Sequence, residues 1–290
     1  ARDTYNEAND ALDFDLATLI LEGPSETLAR TEYTQPALLT CSIAHYRALR
    51  ELGFDPAMLA GHSVGEYAAL VAANSLDFKT AVQLVHKRGR YMQEAVSLGK
   101  GGMAAIVGLH NKEVEDICLQ IAGQDQGIVE IAVHNDSRQT VIGGDLAAVE
   151  KAMHAAQLRG ARPILLDVSG PFHTSLMAPA AAKLATDLAR IEFRRPRVPY
   201  VPNATARIKI DASGIGQLLV EQLTRPVLWQ RTILEMWNLG GVDNFVEAGP
   251  GRTLSRLARK MYSRFPVVSM DDGDQRWHPG VQVAAKKRAP

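Results

Sequence analysis

Apolar and polar positions follow two different rhythms along this chain, and the change between them divides it. Over the first hundred residues the apolar positions mostly recur at helical spacing. Residues 1–21 carry Tyr5, Ala8, Leu12, Leu16, Leu19 and Ile20 in that pattern and are expected to be helical. Thr34-Gln35-Pro36 starts a helix to about Leu52, with the proline near its first turn and Gly53 ending it. Its apolar stripe reads Leu38, Cys41, His45, Ala48, Leu49 and Leu52. The run Ala57-Met58-Leu59-Ala60 reads as the end of a buried strand, and residues 66–73 as a helix. Asp77 is placed to cap a long helix from Phe78 to about Val96, with an inner face of Phe78, Ala81, Val82, Val85, Met92, Ala95 and Val96.

After Gly99-Lys100-Gly101-Gly102, a hinge by composition, shorter alternating runs take over. Residues 103–109 read as strand, 112–123 as helix, 129–133 and 139–143 as strands, 145–159 as helix and 161–166 as strand. That β-α-β-β-α-β order is the order of a ferredoxin-like unit. The helical rhythm then returns over 178–190, 215–223, 228–239 and 253–262, with strands at 198–202 and 242–246. The expected fold class is therefore α/β, with a large subdomain made of 1–99 and 168–270. A small ferredoxin-like subdomain, 100–167, is inserted into it, and a charged tail, 271–290, containing Trp277 and His278, follows.

Composition changes this picture little. With 46% apolar residues the chain can bury a sizeable core, and 32 basic residues balance 32 acidic ones, so no net field favours nucleic acid or an anionic membrane. Cys41 and Cys118 make no disulfide framework, so a reducing, cytoplasmic setting is the expectation. No apolar run reaches the ~18–20 residues of a membrane span, and no signal peptide is visible. No metal-ligand spacing and no dinucleotide fingerprint is found.

The candidate chemistry centres on Gly61-His62-Ser63-Val64-Gly65, between the strand and the helix. A serine on such a turn has its hydroxyl pushed out of the sheet, and the glycines let the backbone bend. The Val64 N–H at the helix start is then placed to meet a developing oxyanion. Arg88 falls on the apolar face of its helix. Desolvating an unpaired guanidinium costs several kcal/mol, so it either pairs with a buried carboxylate or grips the carboxylate of a ligand. His173, in the rigid loop Ser169-Gly170-Pro171-Phe172-His173, has the best context for a general base; His62 is its rival, and a plain surface role is the alternative. Asn135 lies at a turn, where it either satisfies turn geometry or meets a ligand. Glu247-Ala248-Gly249-Pro250-Gly251-Arg252 either cradles a phosphate at a helix start or is a structural turn.

Taken together, Gly61 to Tyr67, Arg88 with Met92-Gln93-Glu94-Ala95, and Ser169 to His173 resemble malonyl-CoA:acyl carrier protein transacylases and the related acyltransferase domains of polyketide synthases. Asn135 ahead of Val141-Ile142-Gly143-Gly144, Gln222-Leu223 ahead of Arg225-Pro226-Val227, and Glu247 to Gly251 match in the same order, so the likeness runs from residue 1 to about 265. The resemblance implies a hydrolase-like α/β core with a ferredoxin-like insertion. It implies transfer of malonyl from malonyl-CoA to the phosphopantetheine thiol of an acyl carrier protein through an ester on Ser63, for fatty-acid or polyketide synthesis. His173 would be the base, oriented by the backbone carbonyl of Gln222, and Val64 would supply an oxyanion donor. Arg88 would bind the malonyl carboxylate, which would account for a buried cation with no evident protein partner. His62, Phe172, Met92 and Asn135 would line the substrate site, the Phe172 ring leaving little room for a branch at C2. No bound cofactor is implied, no nucleic acid or membrane partner, and a monomer is expected.

The family pattern also opens with a strand and a Phe-Pro-Gly-Gln-Gly-Ser-Gln loop whose glutamine backbone gives a second oxyanion donor, and that segment does not precede Ala1. Either the sequence begins inside the native domain, or this first strand and loop are missing; if they are missing, losing one such donor is expected to cost roughly two to three powers of ten in rate. Two other readings share the elbow: a serine esterase or thioesterase, and a non-catalytic docking domain of a synthase.

Overall fold

The computed structural model describes residues 1–124, 127–262 and 265–271; Trp277, His278 and most of the expected tail lie outside them. The first helical stretch is two helices, α1 (Arg2–Asn9) and α2 (Leu16–Glu22), because Asp15 turns the chain and caps α2 by accepting from the Thr18 N–H. After the short α3 (Ser25–Leu28), α4 (Thr31–Glu51) begins earlier than expected and carries Pro36 inside it. The proline has no N–H for the Glu32 carbonyl four residues back, and His86 Nδ1 meets that carbonyl instead at 2.9 Å. The stripe expected on α4 is also displaced. Leu38 and Leu52 are exposed, and the buried face runs through Gln35, Leu39, Thr40, Ile43 and Leu49. Cys41 is half-buried and lies 3.3 Å from the Tyr5 hydroxyl.

Strand β1 (Leu59–Ala60) is shorter than the apolar run suggests; it leads through the Ser63 turn into α5 (Gly65–Ala72), and α6 (Phe78–Ala95) follows, capped by Asp77. Gly89 lets α6 lie directly on the start of α4, since a Cβ there would come within 2.5 Å of the Thr31 carbonyl.

The next elements are β2 (Gly101–Val107), α7 (Asn111–Ala122), β3 (Val129–Asp136), β4 (Gln139–Asp145), α8 (Leu146–Leu158) and β5 (Arg162–Leu165). They form a four-stranded antiparallel sheet in the order β3-β4-β2-β5, the ferredoxin-like arrangement, with α7 and α8 on one face. The two-residue period is visible in the packing. Ala104, Ile106 and Ile142 meet α7 and α8, whereas Met103, Ala105 and Val141 face the other way, toward the large part of the chain. A register shift between Ile131 and Val133 lets Ala132 and Val133 both join that second face.

The chain continues through α9 (Ala178–Leu188), β6 (Tyr200–Val201), α10 (Ile215–Thr224), α11 (Trp229–Asn238), β7 (Phe245–Glu247), α12 (Thr253–Met261) and β8 (Val267–Ser269). Strand β6 pairs in parallel with β1, and β8 in parallel with β7. The class is α/β, helix-rich around short parallel strand pairs, with the ferredoxin-like sheet inserted. Beyond its own strands, β3 is extended by Val227, which pairs with Ala132 and His134. Among the described residues no helix is long and apolar enough to cross a membrane.

Candidate active site

Pairing register builds the floor of the site. Leu59 and Ala60 lie opposite Tyr200 and Val201, so the chain leaves both parallel strands at the same end. The β1 exit carries Ser63, and the β6 exit carries the wholly buried Asn203. Asn203 Oδ1 accepts from the Ser63 N–H at 2.6 Å, and its Nδ2 donates to the Gly61 carbonyl at 2.7 Å. Ser63 itself has φ of +51°, a strained, left-handed conformation that a non-glycine residue holds only when its surroundings fix it. The two glycines of the turn are not equivalent. A Cβ on Gly61 would come within 1.9 Å of the Gly65 carbonyl, whereas one on Gly65 would meet open space. The Val64 N–H has no protein acceptor among the described residues.

His173 is buried and also has positive φ, +62°. Its Nε2 lies 2.8 Å from Ser63 Oγ, and its Nδ1 lies 2.7 Å from the Gln222 carbonyl, which fixes the proton on Nδ1 and leaves Nε2 as the acceptor. The loop before it is packed tightly: a Cβ on Gly101 would lie 2.5 Å from Pro171 Cδ, and Thr31 Oγ1 lies 2.9 Å from Ser169 Oγ. From the other side Glu130, on β3, accepts from both the N–H and the Oγ of Ser175, each at 2.7 Å.

Arg88 is 1% exposed. Its Nη1 donates to Gln35 Oε1 at 2.6 Å, and its Nη2 to Gln222 Oε1 at 2.9 Å and to Ser63 Oγ at 3.2 Å. The cation thus does have protein partners, contrary to the sequence expectation, but all three are neutral oxygens; the guanidinium also lies 5.7 Å from the Tyr67 ring centre, and its Nε has no partner among the described residues. No direct ion pair compensates the charge among the described residues. Met92 is buried beside this group, its sulfur 3.5 Å from Gln35 Nε2.

Under the turn lies Glu66, fully buried. Its Oε2 accepts from the Asn203 N–H at 2.9 Å and from Gln222 Nε2 at 2.7 Å, while Oε1 has no partner. Burial pushes the Glu66 carboxyl up to about 7, against the opposing pull of those two donors and of Arg88. Burial, then the nearby Arg88 charge, holds His173 down to about 3; burial likewise holds His62 down to about 4.

A cavity of about 800 Å³ opens beside Ser63 and extends between β1 and β7. His62, Ser63, Val64, Asn135, Phe172 and His173 all line it; Arg88, Met92 and Gln222 lie behind Ser63 and do not. Asn135 sits within β3 rather than at a turn, with Oδ1 buried and unpartnered, and the His62 ring lies 5.4 Å from that of Trp229. The glycine-rich turn after β7 is structural. The Glu247 carboxylate already accepts from the Leu254 and Ser255 N–H groups at 3.0 and 2.8 Å, so the start of α12 is filled by protein.

Gln35, Glu66, Asn203 and the Gln222 side chain escaped the sequence reading. The available signals were slight: a carboxylate opening an otherwise apolar helix, and an asparagine just past the end of a parallel strand.

Comparison with known proteins identifies the family. The acyl transferase domain family matches residues 2–275. The malonyl CoA-acyl carrier protein transacylase of Escherichia coli K12 is 43% identical over 273 residues, 93% of this chain and 87% of that protein. The enzyme of the same name from Bacillus subtilis is 41% identical, over 94% of this chain and 86% of its own. Among solved structures, the malonyl CoA-acyl carrier protein transacylase of Coxiella burnetii superposes with a TM-score of 0.89 at 42% identity, covering 92% of this chain and 84% of its own. A malonyl-transacylase in complex with its type II PKS acyl-carrier protein superposes with a TM-score of 0.90 at 42% identity, covering 93% of this chain and 87% of its own.

Proposed function

The chain belongs to the acyl transferase domain family, and on that premise we propose that it moves a malonyl group from malonyl-CoA to the phosphopantetheine thiol of an acyl carrier protein. The chemistry follows from the contacts around one hydroxyl. Ser63 Oγ gives its proton to His173 Nε2, 2.8 Å away, and attacks the thioester carbonyl. The oxyanion is met by the free N–H of Val64 at the start of α5. As the C–S bond breaks, His173 returns the proton to the leaving CoA sulfur, leaving malonate esterified to Ser63. The carrier thiol then gives its proton to His173, attacks the ester, and regenerates the serine. Throughout, the Gln222 carbonyl at 2.7 Å stabilises the transient imidazolium, in the place where many serine enzymes use a carboxylate.

Arg88 selects the acyl group. Its charge is held by neutral acceptors, with Nε unpartnered and Nη2 already touching the nucleophile. A free carboxylate on the substrate supplies the missing negative charge and can accept two parallel bonds from the guanidinium. Binding it also removes the positive field that depresses His173, so the base strengthens when a diacid arrives. His62, Asn135 and Phe172 line the approach to Ser63, and Met92 packs against Gln35 behind it. We also take residues 100–167 as a separate subdomain between the two halves of the large one, a division supported by its own apolar core.

The observation that carries this reading is the convergence of His173 Nε2 and Arg88 Nη2 on Ser63 Oγ. Intact-mass analysis after mixing with malonyl-CoA tests it. One malonyl adduct is expected on the chain and none on Ser63→Ala, with a pantetheine thiol removing the adduct faster than water does. An unlabelled chain, or faster loss to water, overturns it.

A further inference from the structure

The carboxylate of Glu66 is remote from the cavity, yet it touches both halves of the site. One oxygen holds the backbone of Asn203, whose side chain takes the Ser63 N–H, and the same oxygen holds Nε2 of Gln222. The second contact matters for orientation. A carboxamide has one donor end and one acceptor end, and either end can face a given direction. Glu66 Oε2 already accepts from the Asn203 N–H, so any proton on the carboxyl sits on Oε1, which has no partner among the described residues; toward Gln222 the carboxyl therefore accepts, binding the NH₂ end, and the Gln222 Oε1 end faces Arg88, where it accepts at 2.9 Å. The Ser63 carbonyl, accepting from the same Nε2 at 3.1 Å, enforces the same sense. Without the carboxylate, Nε2 loses its shortest bond and keeps only the Ser63 carbonyl at 3.1 Å and the long contact to Asn203 Oδ1 at 3.5 Å, so the amide is held less firmly in the sense that presents Oε1 to a guanidinium with only donors.

We propose that Glu66 is a positioning residue for acyl-group selection, acting through the Gln222 amide to hold Arg88 against Ser63. It touches no reacting atom. It turns a symmetric-looking side chain into a directional acceptor, so that the guanidinium is aimed at the place where the free end of a dicarboxylic acyl group lies, and it does so with a single oxygen.

This inference rests on the malonyl-transfer reading, and the experiment separates the two. The rate of Ser63 acylation by malonyl-CoA and by acetyl-CoA is measured for the wild-type chain, Glu66→Met, Glu66→Gln, Gln222→Ala and the Glu66→Met/Gln222→Ala double variant, with thermal unfolding as a check of fold. Absence of a wild-type malonyl adduct removes the reading itself, whatever the variants do. Given that adduct, Glu66→Met, which keeps the length and removes the acceptor, is expected to lower malonyl acylation about 30-fold and acetyl acylation less than about fivefold, narrowing the malonyl-to-acetyl preference. Glu66→Gln, whose carbonyl can still accept, is expected to stay within about threefold of wild type for both donors. The double variant is expected to be no slower than the slower single one, because both changes break one path. Additive losses in the double variant, an equal fall for both donors, or a Glu66→Gln as slow as Glu66→Met overturns the inference. If Glu66→Met does not fold, Gln222→Ala and Glu66→Gln still decide: an unchanged malonyl-to-acetyl preference in the first, or a collapsed one in the second, is equally fatal.

Discussion

Two buried regions of this molecule are built on opposite principles. Between the four-stranded sheet and α7 and α8, the interior is Ala104, Ile106, Val114, Ile117, Ile142, Val149 and their neighbours, apolar but for the buried Thr140, whose hydroxyl donates to Asn111 of α7. Beneath Ser63 the interior is Gln35, Glu66, Arg88, His173, Asn203 and Gln222, nearly all hydrogen-bonded to one another. The first region gains stability from each methylene removed from water, roughly 25 cal/mol per Å². The second meets the desolvation of three ionisable groups and three amides with bonds to the same groups, a balance that yields little net stability. What it does yield is direction. The Ser63 hydroxyl, the His173 ring and both Arg88 Nη groups are each aimed by another polar group, and the strain of Ser63 and His173, both at positive φ, is held in place by that mesh. Sharp chemistry and cheap stability are therefore kept in separate places.

The contrast is tested most severely at Arg88. Arg88→Ala removes the cation from a network that contributes function rather than fold. Malonyl acylation of Ser63 should fall about 100-fold, near the ~3 kcal/mol of a strong charge-assisted pair. Acylation by an uncharged acyl-CoA should fall far less, so the preference for the diacid narrows. Equal loss with both donors would mean that the arginine is a structural element after all. The mirror experiment is Ile106→Ala, in a wholly buried apolar position. It should destabilise the chain by about 2–5 kcal/mol in chemical denaturation, while leaving the acylation rate per folded molecule unchanged. A large kinetic effect there would erase the distinction between the two regions.

Proton linkage separates the regions more gently. Burial holds His173 and His62 at about 3 and about 4, below the ordinary histidine value of 6.5. The unfolded chain therefore takes up these protons first, and their linkage makes the folded state less stable as pH falls from about 6.5 toward 4. Glu66 runs the other way. Its folded value of about 7 lies above the ordinary glutamate value of 4.5, so the folded chain keeps that proton longer, and its contribution is complete below about 4.5 and lost as pH rises through about 7. Glu66→Gln removes only this last dependence. The stability of the variant relative to wild type should therefore rise between pH 5 and pH 8 and level off above, as followed by urea midpoints at each pH; a flat difference would mean that Glu66 is ionised in the folded state at all these values.

The elements were largely legible in the sequence because most of them obey one period along their whole length. The ferredoxin-like order can be read from strand and helix rhythm alone, and the structure differs there mainly in boundaries, as where β3 runs on to Asp136. Where the reading slipped, polar residues were the reason. In α4 the buried face includes Gln35 and Thr40, so the apolar stripe points a residue away from the true inner face, toward the exposed Leu38 and Leu52. The same physics decides what could be read of the site. Ser63, His173 and Arg88 carry local signals: a turn between strand and helix, a rigid glycine-proline loop, and a cation on an apolar face. Asn203 and Glu66 carry only slight ones, because their meaning depends on β1 lying in register with β6, which is fixed only when the strands pair.

One strand belongs to both regions, and it supplies the finest test of the contrast. The inner half of β3 places Val129 and Ile131 in or against the small apolar core, while its other face and edge reach the site. There Ala132 and His134 grip Val227, five residues past Gln222, and Glu130 grips Ser175, two residues past His173. The base and the carbonyl that orients it are thus both tied to a single strand of the ferredoxin-like sheet. Glu130→Ala cuts the histidine's tie and leaves the carbonyl's. Because the carboxylate is partly exposed, its two bonds are worth only about 1 kcal/mol in stability, and the melting temperature should move by a few degrees at most. A displaced imidazole is felt more keenly, since proton transfer depends on its distance from Ser63 Oγ, so acylation should slow about three- to tenfold. The loss should be the same for malonyl-CoA and acetyl-CoA, because the histidine serves both while Arg88 is untouched. That equality sets this variant apart from every change on the arginine side, and a loss confined to the malonyl donor would show that the clasp acts on the guanidinium network instead of on the base.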